Sequence, residues 1–338
     1  MMENGSEVKT MILAGDIGGT KTLLGLFDAA PARPRPAVVR SFGTLDHPDL
    51  QTMIAEFLKD EDARGAAAAH GAIEAACFGV AGPVIDETVR VTNVPWFVDA
   101  RRVAAALDIA RVALLNDLEA LAYAVPVLRE SETHTLQEGE ALRGGSIALI
   151  AAGTGLGQAM LHNIDGRFVP LASEAGHADF AARTEREIAL TRELTARLGR
   201  ADVEHVVSGR GFPYIHRVAH TQPCAAAIDL ESHDAPAAIS AAALERRCAG
   251  CVETLDMFVE AYGAEAGNLA LRVVSTGGLY IGGGIAPKIL PALTTGLFMK
   301  AFRAKPPLEP MLSAMPVKVI LNAESGLLGA AIFAAGQR

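Results

Sequence analysis

The sequence is poor in three features that mark large classes of proteins, namely aromatic residues, cysteine and basic charge. Of its 338 residues, 5% are aromatic and four are cysteine, and the formal net charge at pH 7 is −9. An acidic chain repels the phosphates of nucleic acids and of anionic lipids, so we expect neither nucleic acid nor a membrane surface as a partner. Four cysteines are also too few for a disulfide scaffold at this length.

A membrane-spanning run and an N-terminal targeting pattern are missing as well. The long uncharged run over residues 146–164 is broken by Gly153, Gly155 and Gly157, which predicts a strand, a loop and a second strand. The first ten residues, MMENGSEVKT, are polar and contain no basic segment followed by an apolar one. We therefore expect a disordered tail over residues 1–10 and a cytoplasmic location.

What the sequence does contain is a repeated unit of strand, glycine-rich turn and strand. The first copy reads LAGDIGGTKTLLGLF (13–27) and the second reads SIALIAAGTGLGQAML (146–161). Alternating helical and strand patterns follow each copy. Such an internal repeat predicts a duplicated α/β fold of two lobes with a cleft between them.

The first glycine-rich turn places Asp16 at the end of a predicted strand, directly before Gly18 and Gly19. Amide groups in such a turn can hold phosphate oxygens, and Lys21 adds positive charge. Mg²⁺ prefers a few carboxylates and keeps several of its waters, so Asp16 could hold this ion through water. An ordinary hairpin with a surface aspartate is the alternative.

Two further glycine clusters strengthen the nucleotide interpretation. The turn over residues 151–157 has the spacing Gly-x-Gly-x-Gly and leads into a strand, which disfavours a dinucleotide-binding fold. The segment GGLYIGGGIAP (277–287) contains three consecutive glycines that would let a flat ring or a ribose approach the backbone. Together the three turns predict a bound nucleotide.

Asn116 and Asp117 end a predicted strand and precede an apolar helix. A carboxylate held in this position could act as a general base on a hydroxyl group. Asn and Asp are also common helix N-caps, and this structural role remains the alternative.

The segment SEAGHADF (173–180) carries a second polar pair, Glu174 and His177. The spacing would suit a metal only on a helix, and Gly176 argues against a helix there. A carboxylate and an imidazole can also hydrogen-bond to sugar hydroxyls. Glu204 could add a third polar contact, or it could be a solvated helix position.

The pair Cys248 and Cys251 is a weak metal signal. One Cys-x-x-Cys pair is not a zinc site, and we find no second Cys or His pair with suitable spacing. We interpret the two residues as partly buried thiols without metal or redox chemistry.

Nine segments taken together resemble the bacterial glucokinases, the hexokinase-type sugar kinases, and they occur in the order found in that family. They extend from residue 11 to the C-terminus and are LAGDIGGTKT, FGVAGPV, VTNVPW, LLNDLEAL, AAGTGLG, SEAGHADF, EHVVSGRGF, GGLYIGGGI and ESGLLGAA.

The resemblance implies the actin-like ATPase fold, in which a ribonuclease H-like α/β unit is duplicated. It divides the chain into a small domain (11–125 with 322–338) and a large domain (126–321). The implied reaction is ATP-dependent, Mg²⁺-dependent phosphorylation of D-glucose at its 6-hydroxyl, in a protein that is often a homodimer.

The resemblance also implies site residues. Asp117 matches the catalytic base, and Asp16 would hold magnesium through water. The residues that match sugar contacts are Asn93, Asn116, Asp117, Glu174, His177 and Glu204. The residues that match nucleotide contacts are Gly15, Asp16, Ile17, Gly18, Gly19, Thr20, Lys21, Gly153, Thr154, Gly155, Gly282, Gly283 and Gly284.

Three positions depart from the family pattern. Ala175 replaces a glycine, Arg210 replaces a proline, and Lys21 replaces a residue that is often asparagine. Another hexose or amino sugar as substrate, polyphosphate as donor, and a sugar sensor without turnover remain alternatives.

The related repressor and kinase group carries a cysteine-rich zinc motif near its sugar-binding histidine. No cysteine lies near His177, so we predict no structural zinc.

Overall fold

The computed structural model of the protein describes residues 10–30, 32–220 and 222–336. The predicted disordered tail lies outside the described residues except for Thr10. The chain divides into two compact units. The first contains the described residues up to Leu128 and those from Ala323 onward, and the second contains Arg129–Asn322. The predicted domain limits, after residues 125 and 321, stay a prediction.

The described residues form groups of strands separated by groups of helices along the chain. In chain order the strands are β1 (Met11–Ile17), β2 (Lys21–Asp28), β3 (Pro36–Gly43), β4 (Ile73–Val80), β5 (Thr88–Arg90), β6 (Phe97–Asp99), β7 (Arg111–Asn116), β8 (Thr133–Gln137), β9 (Ile147–Ala152), β10 (Leu156–Ile164), β11 (Arg167–Ser173), β12 (Gly278–Gly282) and β13 (Val317–Ile320).

The helices differ widely in length. In chain order they are α1 (Leu50–Phe57), α2 (Glu61–His70), α3 (Ala100–Leu107), α4 (Asp117–Ala124), α5 (Glu185–Leu198), α6 (Gly211–Ala219), α7 (Ala235–Leu244), α8 (Ala249–Val273), α9 (Leu290–Leu293), α10 (Leu297–Arg303), α11 (Glu309–Ala314) and α12 (Ser325–Gly336). Within the described ranges, no helix combines the length and the apolar character needed to cross a bilayer.

The first unit is built on a five-stranded sheet with the order β3-β2-β1-β4-β7. The first three strands form antiparallel hairpins, and β4 and β7 run parallel to β1. Successive side chains of a strand point to opposite faces, and β1 is buried on both. Ile12 and Ala14 pack in the core cluster that includes α12, whereas Leu13 and Ile17 pack in the cluster that includes α1 and α3.

The second unit repeats this sheet. Its order is β11-β10-β9-β12-β13-β8, in which β9, β10 and β11 are antiparallel neighbours and β12 and β13 run parallel to β9. β8 is an additional antiparallel edge strand. The predicted duplication of an α/β unit is therefore confirmed by strand order and direction. One continuous core lies beneath helices α5 to α10.

Small residues let α12 pack closely in the first unit. Its sequence, SGLLGAAIFAAG, presents Gly329 to the backbone of α4. A Cβ atom at this position would lie 1.7 Å from the carbonyl oxygen of Ala120, which real structures do not tolerate. Glycine at position 329 is thus a condition for the contact between α12 and α4.

We expect Gly329→Ala to lower the free energy of unfolding by about 1–3 kcal/mol, because the added methyl group overpacks the contact. The matched control is Gly65→Ala in α2, where a Cβ atom would meet nothing within 4 Å. That change should stabilise the protein by about 0.4–1 kcal/mol, because alanine favours the helix. Urea unfolding of both variants measures the difference, and equal effects would contradict the close contact.

Candidate active site

Two acidic side chains of the first unit lie at the carboxyl edge of its sheet. Asp16 is next to last in β1, and Asn116 ends β7 and is followed by Asp117. β4 lies between these strands and pairs Gly79 with Asp16 on one side and with Leu115 on the other. Because carboxyl ends of parallel strands meet at one edge, residues far apart in sequence come together here.

Asp16 is in an unfavourable environment for a negative charge. Its pKa is raised to about 6, first by burial and then by the negative charge of Asp117, while Lys21 acts in the opposite direction. A Cβ atom at Gly326, in the first turn of α12, would lie 2.8 Å from Asp16 Oδ2. The carboxyl group therefore lies against the first turn of α12. Two carboxylates that raise each other's energy are a suitable donor set for a divalent cation.

Asn116 and Asp117 are fixed by the start of α4. Asn116 Oδ1 accepts the amide hydrogen of Leu118 at 3.0 Å, and its Nδ2 donates to the carbonyl of Gly82 at 3.1 Å. The capping role considered for this pair is thus confirmed for Asn116. Asp117 Oδ1 accepts the same amide hydrogen at 2.9 Å, and Asp117 is exposed.

The β1–β2 turn is braced by Thr44, which sequence reasoning did not identify. Its Oγ1 donates to the carbonyl of Gly18 at 2.8 Å, and its amide donates to the carbonyl of Thr20 at 3.0 Å. The amide of Gly18 donates to the carbonyl of Lys21 at 3.1 Å, so it is used within the hairpin. A phosphate role for this turn therefore depends on its other amides.

Asn93 lies beside this turn. A Cβ atom at Gly19 would be 3.9 Å from Asn93 Cβ and 3.7 Å from the carbonyl oxygen of Thr92. Asn93 has a φ of +62°, a conformation that asparagine adopts more readily than most residues. The structure thus groups Asn93 with the predicted phosphate turn in the first unit.

In the second unit, Glu204 reaches the turn between β9 and β10. Its carboxylate accepts the amide hydrogen of Leu156 at 2.9 Å. A Cβ atom at Gly155 would lie 2.5 Å from Glu204 Oε2, so glycine is needed there to admit the carboxylate. Glu204 is partly buried in the turn before α6, and its alternative as a solvated helix position is wrong.

The segment that contains Glu174 and His177 rests on the same turn. Residues Ala175–His177 form one 3-10 turn and no α-helix, as Gly176 led us to expect. A Cβ atom at Gly176 would be 2.2 Å from the carbonyl oxygen of Leu156, and the carbonyl of Gly176 accepts the amide hydrogen of Glu204 at 2.8 Å. The structure therefore brings the three predicted sugar contacts of this unit onto one framework.

Asp202 lies beside the imidazole of His177. This buried carboxylate lies 3.5 Å from His177 Nδ1, and it also accepts the amide hydrogen of His205 at 2.8 Å. His177 itself is exposed. The exposed ring is accessible to a ligand.

The third glycine cluster lies beside the second turn, because β12 pairs with β9. Gly282 is the register partner of Ala151. Gly283 has a φ of +82°, and a Cβ atom there would be 2.3 Å from the carbonyl oxygen of Ala152. A Cβ atom at Gly284 would meet nothing within 4 Å, so this backbone is open to a ligand.

Some residues that position the site carry no local sequence signal. Thr44 and Gly326 act across long sequence separations, as does Tyr262 of α8, whose hydroxyl accepts the amide hydrogen of Ala152 at 3.2 Å. Asp202 has a weak signal, since His205 follows three residues later. Each of these contacts depends on tertiary packing.

Arg210, which replaces a proline of the family pattern, places a positive charge near Glu204. Arg210 Nη1 lies 3.9 Å from Glu204 Oε1, and the Arg210 side chain is 60% exposed. An exposed pair at this distance contributes little to stability. It does place a cation beside a predicted sugar contact.

The cysteine and histidine neighbours of Cys248 and Cys251 were not expected from the sequence. Both are buried, and Cys224 Sγ lies 3.8 Å from the sulfur of each. His216 and His220, four residues apart at the end of α6, complete the group. Their His-x₃-His spacing is a sequence signal that could have identified this group.

Known proteins with the same sequence pattern identify the family. The family model described as "Glucokinase" matches residues 13–337, which is nearly the whole chain. The chain belongs to the glucokinase family. A glucokinase family member is a sugar kinase, and the resemblance seen in the sequence is confirmed.

Individual relatives agree with this assignment. The chain is 40% identical to the glucokinase of Nostoc punctiforme over 96% of this chain and 99% of the relative. A solved glucokinase from an Antarctic psychrotroph is 30% identical, with a TM-score of 0.82, over 96% of this chain and 99% of that one.

A more distant structure supports the fold alone. A ROK family glucokinase from Streptomyces griseus, solved with glucose and AMPPNP, is 21% identical, with a TM-score of 0.62, over 96% of this chain and 99% of that one. The glucokinase family member described here has the two-domain α/β fold of the actin-like ATPases, as expected from its sequence.

The raised pKa of Asp16 predicts a gain in stability for Asp16→Asn. Between about pH 4 and pH 6 the folded state binds more protons at Asp16 than the unfolded state does, so stability falls as the pH rises through this window. The variant lacks this penalty. At pH 8 we expect it to exceed the wild type by up to about 3 kcal/mol, and at pH 3.5 by little.

Urea unfolding at both pH values, in a chelator and without nucleotide, measures this difference. The control is Asp108→Asn, an exposed position that ends α3 in the same unit. Because this side chain is exposed, its substitution should change stability at pH 8 much less than Asp16→Asn does. A constant effect of Asp16→Asn across this range would contradict the raised pKa.

Proposed function

We propose that the protein phosphorylates D-glucose at its 6-hydroxyl with ATP as donor, giving glucose 6-phosphate and ADP. The observation that carries the proposal is the pair of carboxylates at the carboxyl edge of the first sheet, where the charge of Asp117 raises the pKa of Asp16. Phosphoryl transfer needs one group to accept a proton and one to orient a cation, and this pair offers both. Family membership supports the same reaction.

Asp117 is the proposed general base. Its carboxylate accepts the proton of the sugar hydroxyl while the hydroxyl oxygen bonds to the γ-phosphorus and the bond to the leaving ADP oxygen breaks. The hydrogen bond from the Leu118 amide holds Asp117 Oδ1 at the start of α4. A base fixed in this way needs little reorganisation during the reaction.

Magnesium is the proposed companion of ATP. When bound, it would neutralise charge on the transferred phosphoryl group, and Asp16 would hold it through water. The fit is supported by the high energy of the Asp16 charge, which a cation would relieve. Lys21 adds a second positive charge at the same turn.

Three side chains of the second unit are the proposed sugar contacts. Glu174 and Glu204 accept hydrogen bonds from hydroxyl groups, and the His177 imidazole can donate or accept. Asn116 and Asn93 are further proposed contacts. Without the ligand, Glu204 accepts the amide hydrogen of Leu156, and the close packing of Gly176 on Leu156 positions the segment that carries Glu174 and His177, which would reduce the entropy lost on binding.

The glycine turns are the proposed nucleotide contacts. In the first unit these are residues 15–21, and in the second unit they are residues 153–155 and 282–284. The open backbone at Gly284 supports a close approach by the nucleotide.

A homodimer is also proposed, on the family resemblance alone.

The proposed function is tested by comparing turnover across several sugars and phosphoryl donors. ADP release is measured with Mg·ATP and glucose, fructose, mannose or N-acetyl sugars, and polyphosphate replaces ATP in a parallel series. We expect turnover with glucose and ATP to exceed every other combination in kcat/KM. A higher value with another sugar or with polyphosphate would overturn the glucose or the ATP assignment.

Asp117→Asn should lower kcat by a factor of about 10²–10⁴, because the amide cannot accept the proton. The matched control is Asp49→Asn, since Asp49 also accepts a helix amide hydrogen, from Thr52 at 2.7 Å, but caps α1. It should keep the wild-type kcat. Calorimetric glucose binding and urea unfolding show whether Asp117→Asn remains folded, and near-native turnover would exclude Asp117 as base.

A further inference from the structure

Five histidine and cysteine side chains of the second unit converge on one point outside the proposed active site. His216 and His220 lie on α6 and at its end, Cys224 lies in the loop that follows, and Cys248 and Cys251 lie at the start of α8. The ligand atoms of His216, His220, Cys224 and Cys251 are all within 4.8 Å of one another. None of the five belongs to the predicted sugar or nucleotide contacts.

The distances between sulfur atoms are those expected around a shared ion. Cys224 Sγ lies 3.8 Å from Cys248 Sγ and 3.8 Å from Cys251 Sγ. Two thiolates bound at about 2.3 Å to one tetrahedral zinc ion are about 3.8 Å apart. A disulfide needs a separation of about 2.05 Å, and the three cysteines are free thiols.

His220 is oriented as a ligand. Its Nδ1 lies 3.0 Å from the carbonyl oxygen of His216, and a carbonyl can only accept, so Nδ1 carries the hydrogen. Its Nε2 then keeps the lone pair, and this atom lies 3.3 Å from Cys248 Sγ. A hydrogen bond from one ring nitrogen to a backbone carbonyl is the usual support of a metal-binding histidine.

His216 gives independent evidence for a missing partner. The residue is 4% exposed, and its Nε2 has no hydrogen-bond partner in the described part of the chain. A buried polar atom without a partner is unfavourable, and a bound cation would provide that partner.

Simple core packing explains these observations less well. Buried thiols alone behave as small apolar side chains and need no partner. The stacked rings of His216 and His220, with centroids 3.5 Å apart, add two polar side chains to the same place. A cation that binds nitrogen and sulfur accounts for both residue types at once.

We propose that this cluster is a structural zinc site in which Cys224, Cys251 and His220 bind one ion, with Cys248 or His216 as the fourth ligand. Four protein ligands leave no open position, so the ion would stabilise structure and would not take part in the reaction. It would join the end of α6 to the start of α8. Because α6 directly follows the turn that carries Glu204, the site would also anchor that turn.

A zinc ion at this cluster would replace the sequence-based expectation of no structural zinc. That expectation depended on the surroundings of His177, and the cluster lies elsewhere in the chain. The proposal does not depend on the proposed function, because zinc content is measured without reference to turnover.

The first test is the zinc content of the full chain, purified without a histidine tag or chelator from zinc-supplemented cells. We expect one zinc per chain by mass spectrometry, and less than a tenth of that in Cys224→Ser and Cys251→Ser. The matched control is Cys77→Ser, because Cys77 is a buried free thiol of the first unit. It should keep one zinc. Folded wild-type protein without bound zinc would overturn the proposal.

The second test remains valid if the cysteine variants fail to fold. Zinc is removed from the wild type and Co²⁺ is added, and the absorption spectrum is recorded. Tetrahedral thiolate coordination gives intense visible bands and a near-ultraviolet charge-transfer band whose strength follows the number of thiolates. Three thiolates would identify Cys248 as the fourth ligand, and two would identify His216. Absent or octahedral-type bands would contradict the site.

Affinity gives a third readout. Apo protein titrated with zinc against a coloured chelator should bind more than about 100-fold more tightly than Cys251→Ser, since even residues behind the ligands change affinity 10–100-fold. Equal affinities would exclude Cys251 as a ligand.

Discussion

The packing of the first unit depends on one constraint. The carboxyl group of Asp16 lies at a crowded strand end, and its neighbours must leave room for it. Asp16 lies against the first turn of α12, within range of the charge of Asp117, and its pKa rises to about 6. The contact requires glycine at position 326, because a side chain there would meet Asp16 Oδ2. The C-terminal helix therefore returns to the first sheet with small residues on its packing face, and Gly329 serves the same purpose against α4. Burial and the charge of Asp117 make the ionised form of Asp16 unfavourable, which lowers stability at neutral pH.

In the second unit, glycines also allow other segments to approach the backbone closely. Glu204 enters the glycine turn between β9 and β10, and Gly176 brings the segment of Glu174 and His177 onto the same turn. Glycine is required in both places because another segment fills the space that a side chain would take. Gly155 of the AAGTGLG turn thus serves packing as well as any ligand. An assignment of this turn to nucleotide binding alone would leave out its role in packing.

Sequence reasoning succeeded where a pattern is local. The β1–β2 and β9–β10 hairpins follow from apolar runs around glycines, and the duplicated fold follows from their repetition. Asn116 is a helix cap, as its position before an apolar helix suggested. Contacts between residues that are distant in the sequence were not predicted. Thr44 and Tyr262 brace the glycine turns from other elements, and no local pattern marks them. The neighbours of the cysteine pair were missed because they precede it by more than twenty residues, on another helix and in the loop after it.

The sequence by itself determined the α/β class, the internal duplication, the glucokinase family and the residue types available for phosphoryl transfer. These depend on composition, on the period of apolar residues and on short motifs, all of which can be read along the chain. Only the tertiary structure decided the environment of Asp16, the role of Gly155 beside Glu204, and the meeting of His216, His220 and Cys224 with the start of α8. Those depend on distances between elements, which packing sets and sequence spacing does not.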